Sequence, residues 1–476
     1  MSQVKVIFKN MSWLVISQII ASICGFIWTI LMARYLGVND YGIIGFAIAF
    51  SGILSIVVDC GVGTHIVRHI ATDRDSAPKY LGNALPLKSL FACVSFVITL
   101  VILLVMGADE TTIMVTLLFT LEMVFKSFIG LLNGSFQAFE EGKYQGIGNT
   151  LASVLLLAFI LITIFTNLGI YGISLAYVLS NLLVLIYEYW ALKNHIVLPK
   201  FEFDKSFCKE ITILSLPFAA TGVLYSIYYS IDIVMLTNIV GNYASGIYSA
   251  TYKLISVLTL FQGVYGAVIF PVMSKYFKND KNILVVSFEK SVKYLTLVTV
   301  PFAVGTMFYS LDIIQLFYGV EYDPSASVLS ILMWTVCLLF INSACINLLN
   351  ASHKEFTVTK IYLIAAIFNV GLNLLIIPYF SYDGAAVTTV LSDSLILILS
   401  LYVIIRLGIK VNKSLLIDLG KIILAALVMG GVLYILNLNM WIAIIVGMIV
   451  YFVVVFLLKV FDDNDKYVIK EILGRN

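Results

Sequence analysis

MSWLVISQIIASICGFIWTILMARYLGVNDYGIIGFAIAFSGILSIVVDCGVGTHIVRHIATDR, residues 11–74, decides the fold. It holds two apolar runs, 11–35 and 42–66. Each reaches the length of about 20 residues that a helix needs to cross the hydrocarbon core of a bilayer. A short polar turn separates them, and Arg68 and Arg74 follow. Ahead of them Met1 to Asn10 is polar, with Lys5 and Lys9. The first run lacks a small-residue cleavage site in the expected place, so it reads as a retained helix and not a signal peptide. Such a hairpin, basic at its two ends, is a building unit of a polytopic membrane protein.

The same ruler places further spans at 81–106, 112–135, 145–166, 170–192, 211–240, 245–274, 290–311, 326–350, 357–378, 384–406, 415–436 and 440–459, fourteen in all. Composition agrees. Of 476 residues, 61% are hydrophobic and 12% charged, against about 25% charged in soluble domains. A soluble chain of this size could not hide that much apolar surface. Pro217 and Pro271 fall inside the seventh and eighth spans, and Pro86, Pro301 and Pro378 mark further kinks or ends.

The basic residues give the sidedness. The two termini and the even-numbered loops hold 24 of the 29 Lys and Arg, whereas the odd-numbered loops hold Arg34 alone. Positive charge stays on the cytoplasmic side, so both termini are expected in the cytoplasm and the number of helices is even. The net charge of +2 argues against a nucleic-acid partner.

Three echoes reveal a repeat. Gly37-Val38-Asn39-Asp40-Tyr41-Gly42 returns as Gly241-Asn242-Tyr243-Ala244-Ser245-Gly246, 204 residues on. Leu131-Leu132-Asn133-Gly134-Ser135 returns as Leu348-Leu349-Asn350-Ala351-Ser352, 217 on. Val178-Leu179-Ser180-Asn181 returns as Val390-Leu391-Ser392-Asp393, 212 on. Order and offset are kept, so spans 1–6 and 7–12 are read as tandem copies. Six is even, so the copies run parallel. The expected fold is an all-α integral membrane protein of fourteen transmembrane helices. Its lobes are 1–203 and 204–410 around a central cavity, with an added helix pair and tail in 411–476. That architecture belongs to alternating-access transporters.

A charge at mid-bilayer costs roughly 2.5–3.5 kcal/mol and marks a functional site by default. Asp232 and Lys253 lie at matching depth on either side of the turn between spans seven and eight, so they can pair. That pair either pins the hairpin or exposes a cation when its partner moves. Glu122 and Lys126, four apart, share a helix face and can neutralise one another. Lys88 lies about two turns inside the third span and is expected to snorkel to the cytoplasmic face, as Lys421 can in span thirteen. Arg34 at the outer face is read as an anion contact or an interface anchor. Asp59 and Arg68 suggest a salt bridge or loop anchor. The candidate substrate-binding set is Arg34, Lys253, Asp232, Lys126 and Lys88. Net basic, it suits an anionic amphiphile such as a pyrophosphate-linked polyprenol carrying sugars. Tyr225, Tyr228, Tyr229, Tyr248 and Tyr252 could offer hydrogen bonds to sugar hydroxyls or to neighbouring helices.

Other chemistries lack their residues. The six cysteines form no CxxC, five of them sit in apolar runs, and they read as small buried residues. His65 and His69 have metal-ligand spacing, but no further ligand stands near them. Asp73-Arg74-Asp75 and Asp463-Asn464-Asp465 are DxD tripeptides without a soluble domain, and the longest outer loop, about 312–325, is too short for a polymerase site. There is no P-loop and no nucleophile elbow, so neither cofactor nor enzymatic activity is expected, and ion, voltage or substrate gradients must drive transport.

Met32-Ala33-Arg34-Tyr35-Leu36-Gly37 through Tyr41-Gly42, then Asp59-Cys60-Gly61 and Arg68, resembles the N-terminal signature of polysaccharide-biosynthesis flippases. These are the O-antigen and teichoic-acid type exporters of the multidrug/oligosaccharidyl-lipid/polysaccharide superfamily. Asp232 with Gly246-Ile247-Tyr248-Ser249-Ala250 and Phe270-Pro271 is similar to their seventh and eighth helices. Asn369-Val370-Gly371-Leu372-Asn373 with Pro378 and Gly384-Ala385-Ala386 is similar to their eleventh and twelfth. The resemblance spans nearly the whole chain. It implies two six-helix lobes, a cavity lined mostly by helices 1, 2, 7 and 8, and flipping of undecaprenyl- or dolichyl-(pyro)phosphate-linked sugars in the cell membrane. It carries over Arg34 as a family-typical position, and Lys253 and Asp232 as cavity charges that vary with the sugar. Expected partners are the lipid-linked oligosaccharide, the bilayer, and a polysaccharide polymerase or glycosyltransferases. Two alternatives stand beside it. One is a proton- or sodium-coupled multidrug antiporter of the same fold, the other a membrane glycosyltransferase or polymerase.

Overall fold

The computed structural model describes residues 3–197, 202–409 and 412–461, and among them it holds helices, turns and no strand. The tail tripeptide Asp463-Asn464-Asp465 and the basic residues Lys200, Lys410, Lys466, Lys470 and Arg475 lie outside the described residues, as do the side chains of Arg68 and Pro217.

Thirteen α-helices follow one another: α1 (Gln3–Asp59), α2 (Val62–Thr72), α3 (Ala77–Val105), α4 (Glu110–Ala138), α5 (Gly142–Thr166), α6 (Gly169–His195), α7 (Lys205–Ile239), α8 (Asn242–Asn279), α9 (Lys281–Phe317), α10 (Ser325–Ala351), α11 (Glu355–Arg406), α12 (Lys413–Leu436) and α13 (Met440–Leu457). Among the described residues, twelve of these helices contain a stretch long and apolar enough to cross a membrane. Two of those are double length. The 48 residues Ser12–Asp59 and the 52 of α11 would run roughly 72 and 78 Å at 1.5 Å per residue, twice the core thickness. Each is broken by one residue of left-handed φ, Gly37 (φ 73°) in α1 and Ser381 (φ 50°) in α11. Dividing both gives the fourteen expected spans. Glycine takes that conformation freely; Ser381 does so at a steric cost.

The helix ends follow from local chemistry. Asp109, Asp204, Asp280, Asn412 and Asn439 each accept a backbone N–H of the first turn with their side chain. Asn167 and Asn437 close α5 and α12 in the left-handed region that asparagine tolerates.

The chain packs as two compact units, 1–249 and 250–476. In the first, α1 packs on α4, α5 and α7, and α6 packs on α4 and α5. Val62, Ile66, Leu81, Leu131 and Phe136 form a buried cluster near the basic loops. The echoed turns explain why α7 packs here. A Cβ on Gly42 would stand 1.9 Å from the Asn242 carbonyl oxygen, and one on Gly246 would stand 2.1 Å from that of Val38. Residues 38 and 242 are repeat mates, as are 42 and 246. The contact is thus reciprocal, and a Cβ on Gly45 would meet the Oγ of its own mate Ser249 at 2.4 Å. A local pseudo-two-fold relates the two turns, and only glycine lets their backbones approach this closely.

In the second unit α10 packs on α9 and α11, and α12 and α13 pack on α9. Lys293 of α9 is buried and ion-paired to Asp418 of α12 at 2.8 Å. Tyr451 of α13 donates to the Leu297 carbonyl of α9 at 2.8 Å. These bonds fasten the added pair to α9. One expectation is corrected: the supposed outer loop 312–325 shrinks to 318–324, because α9 runs on to Phe317 and α10 begins at Ser325.

Candidate functional site

Two polar knots cross the apolar interior of the first unit. Lys88 on α3 is fully buried, and its Nζ donates to Asp59 Oδ1 at 2.7 Å, Ser127 Oγ at 2.8 Å and the Ser127 carbonyl at 3.0 Å. All three ammonium protons are thereby used. Lys88 therefore does not snorkel as expected, because a carboxylate 29 residues earlier and a serine of α4 meet it inside the unit. Asp59 is bound to Lys88, and its suggested contact with Arg68 falls on a side chain outside the described residues.

In the second knot Glu122 Oε1 accepts from Lys126 Nζ at 2.6 Å and from Asn181 Nδ2 of α6 at 3.1 Å. The expected i, i+4 pairing is present. Its partners differ sharply in exposure, since the Lys126 side chain is 58% exposed and that of Glu122 only 6%. The carboxylate faces inward and the ammonium outward.

Asp232 on α7 is buried and accepts the Tyr248 hydroxyl at 2.9 Å. Lys253, further along α8, is exposed. Its pairing with Asp232 stays a proposal. Arg34 is exposed at the end of the first arm of α1. Next to it, Tyr35 donates to Asn167 Oδ1 at 3.0 Å and accepts the Gly169 N–H at 2.9 Å, which fixes the arm against the α5–α6 turn. The rings of Tyr225 and Tyr229 on α7 lie tilted at 45° to one another, with centroids 4.4 Å apart.

Asp73-Arg74-Asp75 and the His65/His69 pair form local structure. Asp73 caps a 3₁₀ turn by accepting the Asp75 N–H, and Arg74 reaches Glu140 at 3.4 Å. His65 and His69 lie ring to ring at 4.5 Å, and His69 stacks on Tyr80. No group of three or more His, Cys, Asp or Glu residues able to hold a metal occurs among the described residues.

Sequence reasoning missed Glu188 and gave Asp393 no role. Glu188 on α6 is completely buried. Asp393 on α11 is buried too, and its backbone carbonyl accepts Asn342 Nδ2 at 3.0 Å. The available signal was plain: an acidic residue inside an apolar span.

The model of the polysaccharide biosynthesis protein family matches residues 7–277, and that of lipid II flippase MurJ matches residues 231–455. Capsular polysaccharide biosynthesis protein CapF of Staphylococcus aureus is 25% identical over 403 residues, covering 82% of this chain and 97% of that protein. Among solved structures, lipid II flippase MurJ in an inward closed conformation superposes with a TM-score of 0.79 at 16% identity, covering 94% of this chain and 98% of that one. An inward-facing multidrug transporter of the MATE family superposes at 0.66, again at 16% identity, covering 82% and 94%. At that identity the structures establish a shared fold.

Proposed function

The chain belongs to the polysaccharide biosynthesis protein family, and from that premise we propose that it flips polyprenyl-(pyro)phosphate-linked oligosaccharide from the cytoplasmic to the outer leaflet by alternating access. It acts as a transporter and not an enzyme, in the cell membrane, with both termini cytoplasmic and the repeat 1–203 and 204–410 as its two halves. A polysaccharide polymerase or glycosyltransferases would act on either side of the flipping step.

One observation carries the reading. Arg34, Lys126 and Lys253 are exposed, whereas the carboxylates nearest them in the charge pattern, Glu122 and Asp232, are buried. The more exposed charge of this set is therefore positive, and it suits a phosphate or pyrophosphate. Arg34 and Lys253 would hold that group with Lys126 assisting. Asp232 would set the position of its neighbours. Lys88, spent on Asp59 and Ser127, would act by holding α3 and α4 in place.

The antiporter alternative needs a carboxylate that an ion can reach. Here Glu122, Glu188, Asp232 and Asp393 are buried, and the partly exposed Asp59 is paired to Lys88. The test is flipping of a fluorescent polyprenyl-pyrophosphate oligosaccharide in proteoliposomes. Wild type should flip it. Arg34→Ala, Lys126→Ala and Lys253→Ala should each lose at least about tenfold, the equivalent of 1.4 kcal/mol of phosphate contact. Proton- or sodium-driven efflux of a cationic dye, without flipping of several sugar headgroups, would overturn the proposal in favour of the antiporter.

A further inference from the structure

Glu188 stands two turns before the end of α6, with 0% of its surface exposed. Neither of its carboxylate oxygens has a hydrogen-bond partner. The helix beside it makes room, since a Cβ on Gly148 of α5 would lie 2.3 Å from Oε1 and 3.2 Å from the carboxyl carbon. The Asn133 amide of α4 is the donor group that bears on the carboxylate, while Asn133 Oδ1 is buried without a donor of its own. Three acceptor oxygens thus share an apolar pocket with one amide donor group.

No charge nearby supplies a further donor. On α6 the titratable neighbours are Tyr187, Tyr189 and His195; His195, two turns on, stacks on Tyr144 of α5, and Lys193 lies five residues on, off the same face. On α5, Tyr144 and Lys143 precede Gly148 by one turn, and 144–166 carries no charge. On α4, the nearest charged residue in sequence to Asn133 is Lys126, whose Nζ is bound to Glu122. The arm of α1 that packs on α5 has no charged residue between 10 and 33. A bare carboxylate in such surroundings would cost so much that the group takes up a proton instead.

We infer that Glu188 is a proton-binding site, occupied in this arrangement of α4, α5 and α6, and that release of the proton accompanies the parting of these helices during the transport cycle. The carboxylic acid donates its O–H within the pocket and supplies the donor that Asn133 Oδ1 lacks. When the helices part, water hydrates the group, the O–H bond breaks, and the proton passes to water to leave a solvated carboxylate. Only the coupling to transport rests on the flippase reading.

Infrared difference spectroscopy of the reconstituted protein, titrated from roughly pH 5 to 9, reads the site without any substrate. Wild type should show a protonated-carboxyl C=O band at neutral pH that is missing in Glu188→Gln. A folded wild type without a Glu188-dependent band at neutral pH would overturn the site. Flipping is then measured against pH. Wild type should change by up to about tenfold per pH unit, the slope of one proton, and Glu188→Gln should be flat. A Glu188→Gln profile that keeps the wild-type slope would overturn the coupling, even with the band present. Absence of flipping by both proteins, with the band intact, would instead count against the flippase reading and leave the proton site standing.

Discussion

Gly42→Ala tests the reciprocal turn contact directly. Its new methyl would stand 1.9 Å from the Asn242 carbonyl oxygen and 2.9 Å from the Gly246 nitrogen. A carbon and a carbonyl oxygen in contact lie about 3.3 Å apart at closest. The backbones must therefore part by roughly 1.4 Å, along a direction in which no flexible side chain can yield. Overpacking of this kind costs about 1–3 kcal/mol. Alanine in place of a helical glycine returns up to about 1 kcal/mol. A net loss of about 2 kcal/mol is expected, or about 4–8 °C in the unfolding midpoint of a unit of this size. Gly246→Ala meets the mirror contact and should cost a similar amount. In the double variant the second methyl enters a gap that the first has opened, so the two losses should fall short of adding by about 0.5 kcal/mol or more. Gly420→Ala on α12, where nothing lies within 4 Å, is the control and should stabilise by about 0.5–1 kcal/mol. Thermal unfolding of the purified protein in detergent, followed by circular dichroism, reads all four. Equal signs for Gly42→Ala and Gly420→Ala, or strict additivity at 42 and 246, would refute the reciprocal packing.

Two further outcomes follow from the polar contacts. Asp59→Ala leaves the buried Lys88 charge with only Ser127, and removing one partner of a buried pair costs about 3–5 kcal/mol; the lower end is expected here because the Asp59 side chain is 41% exposed. Lys88→Met combined with Asp59→Asn should recover most of that loss, and a melting midpoint for Asp59→Ala equal to wild type would contradict the pair. At Asp109, which caps α4 outside the spans, burial raises the carboxyl pKa, but hydrogen bonds from the Thr112 hydroxyl and backbone N–H groups outweigh it and hold the pKa below the ordinary range. The folded pKa is depressed, so the cap's contribution is present above the ordinary Asp value of about 3.9 and lost as pH falls through the folded one. Asp109→Asn should flatten the acid limb of the stability profile while leaving neutral pH almost unchanged.

Sequence by itself determined the solvent, the span count and the repeat. Hydropathy over some 20 residues is a property of a local segment, and the sorting of Lys and Arg between loops survives any detail of packing. The echoed turns at 37–42 and 241–246 were legible for the same reason. What those glycines are for was not, since the reciprocal approach of Gly42 and Gly246 exists only once two distant hairpins meet. The charged residues divide in the same way. The Glu122–Lys126 pair, four apart on one helix, could be read from spacing alone. The partner of Lys88 could not, because Asp59 and Ser127 come from two other helices, and so snorkelling was expected where the structure has a buried ion pair. Glu188 shows the same limit. Its type and depth were visible, but its want of a partner depends on which faces of α4, α5 and α6 turn toward it, and only the tertiary structure decides that.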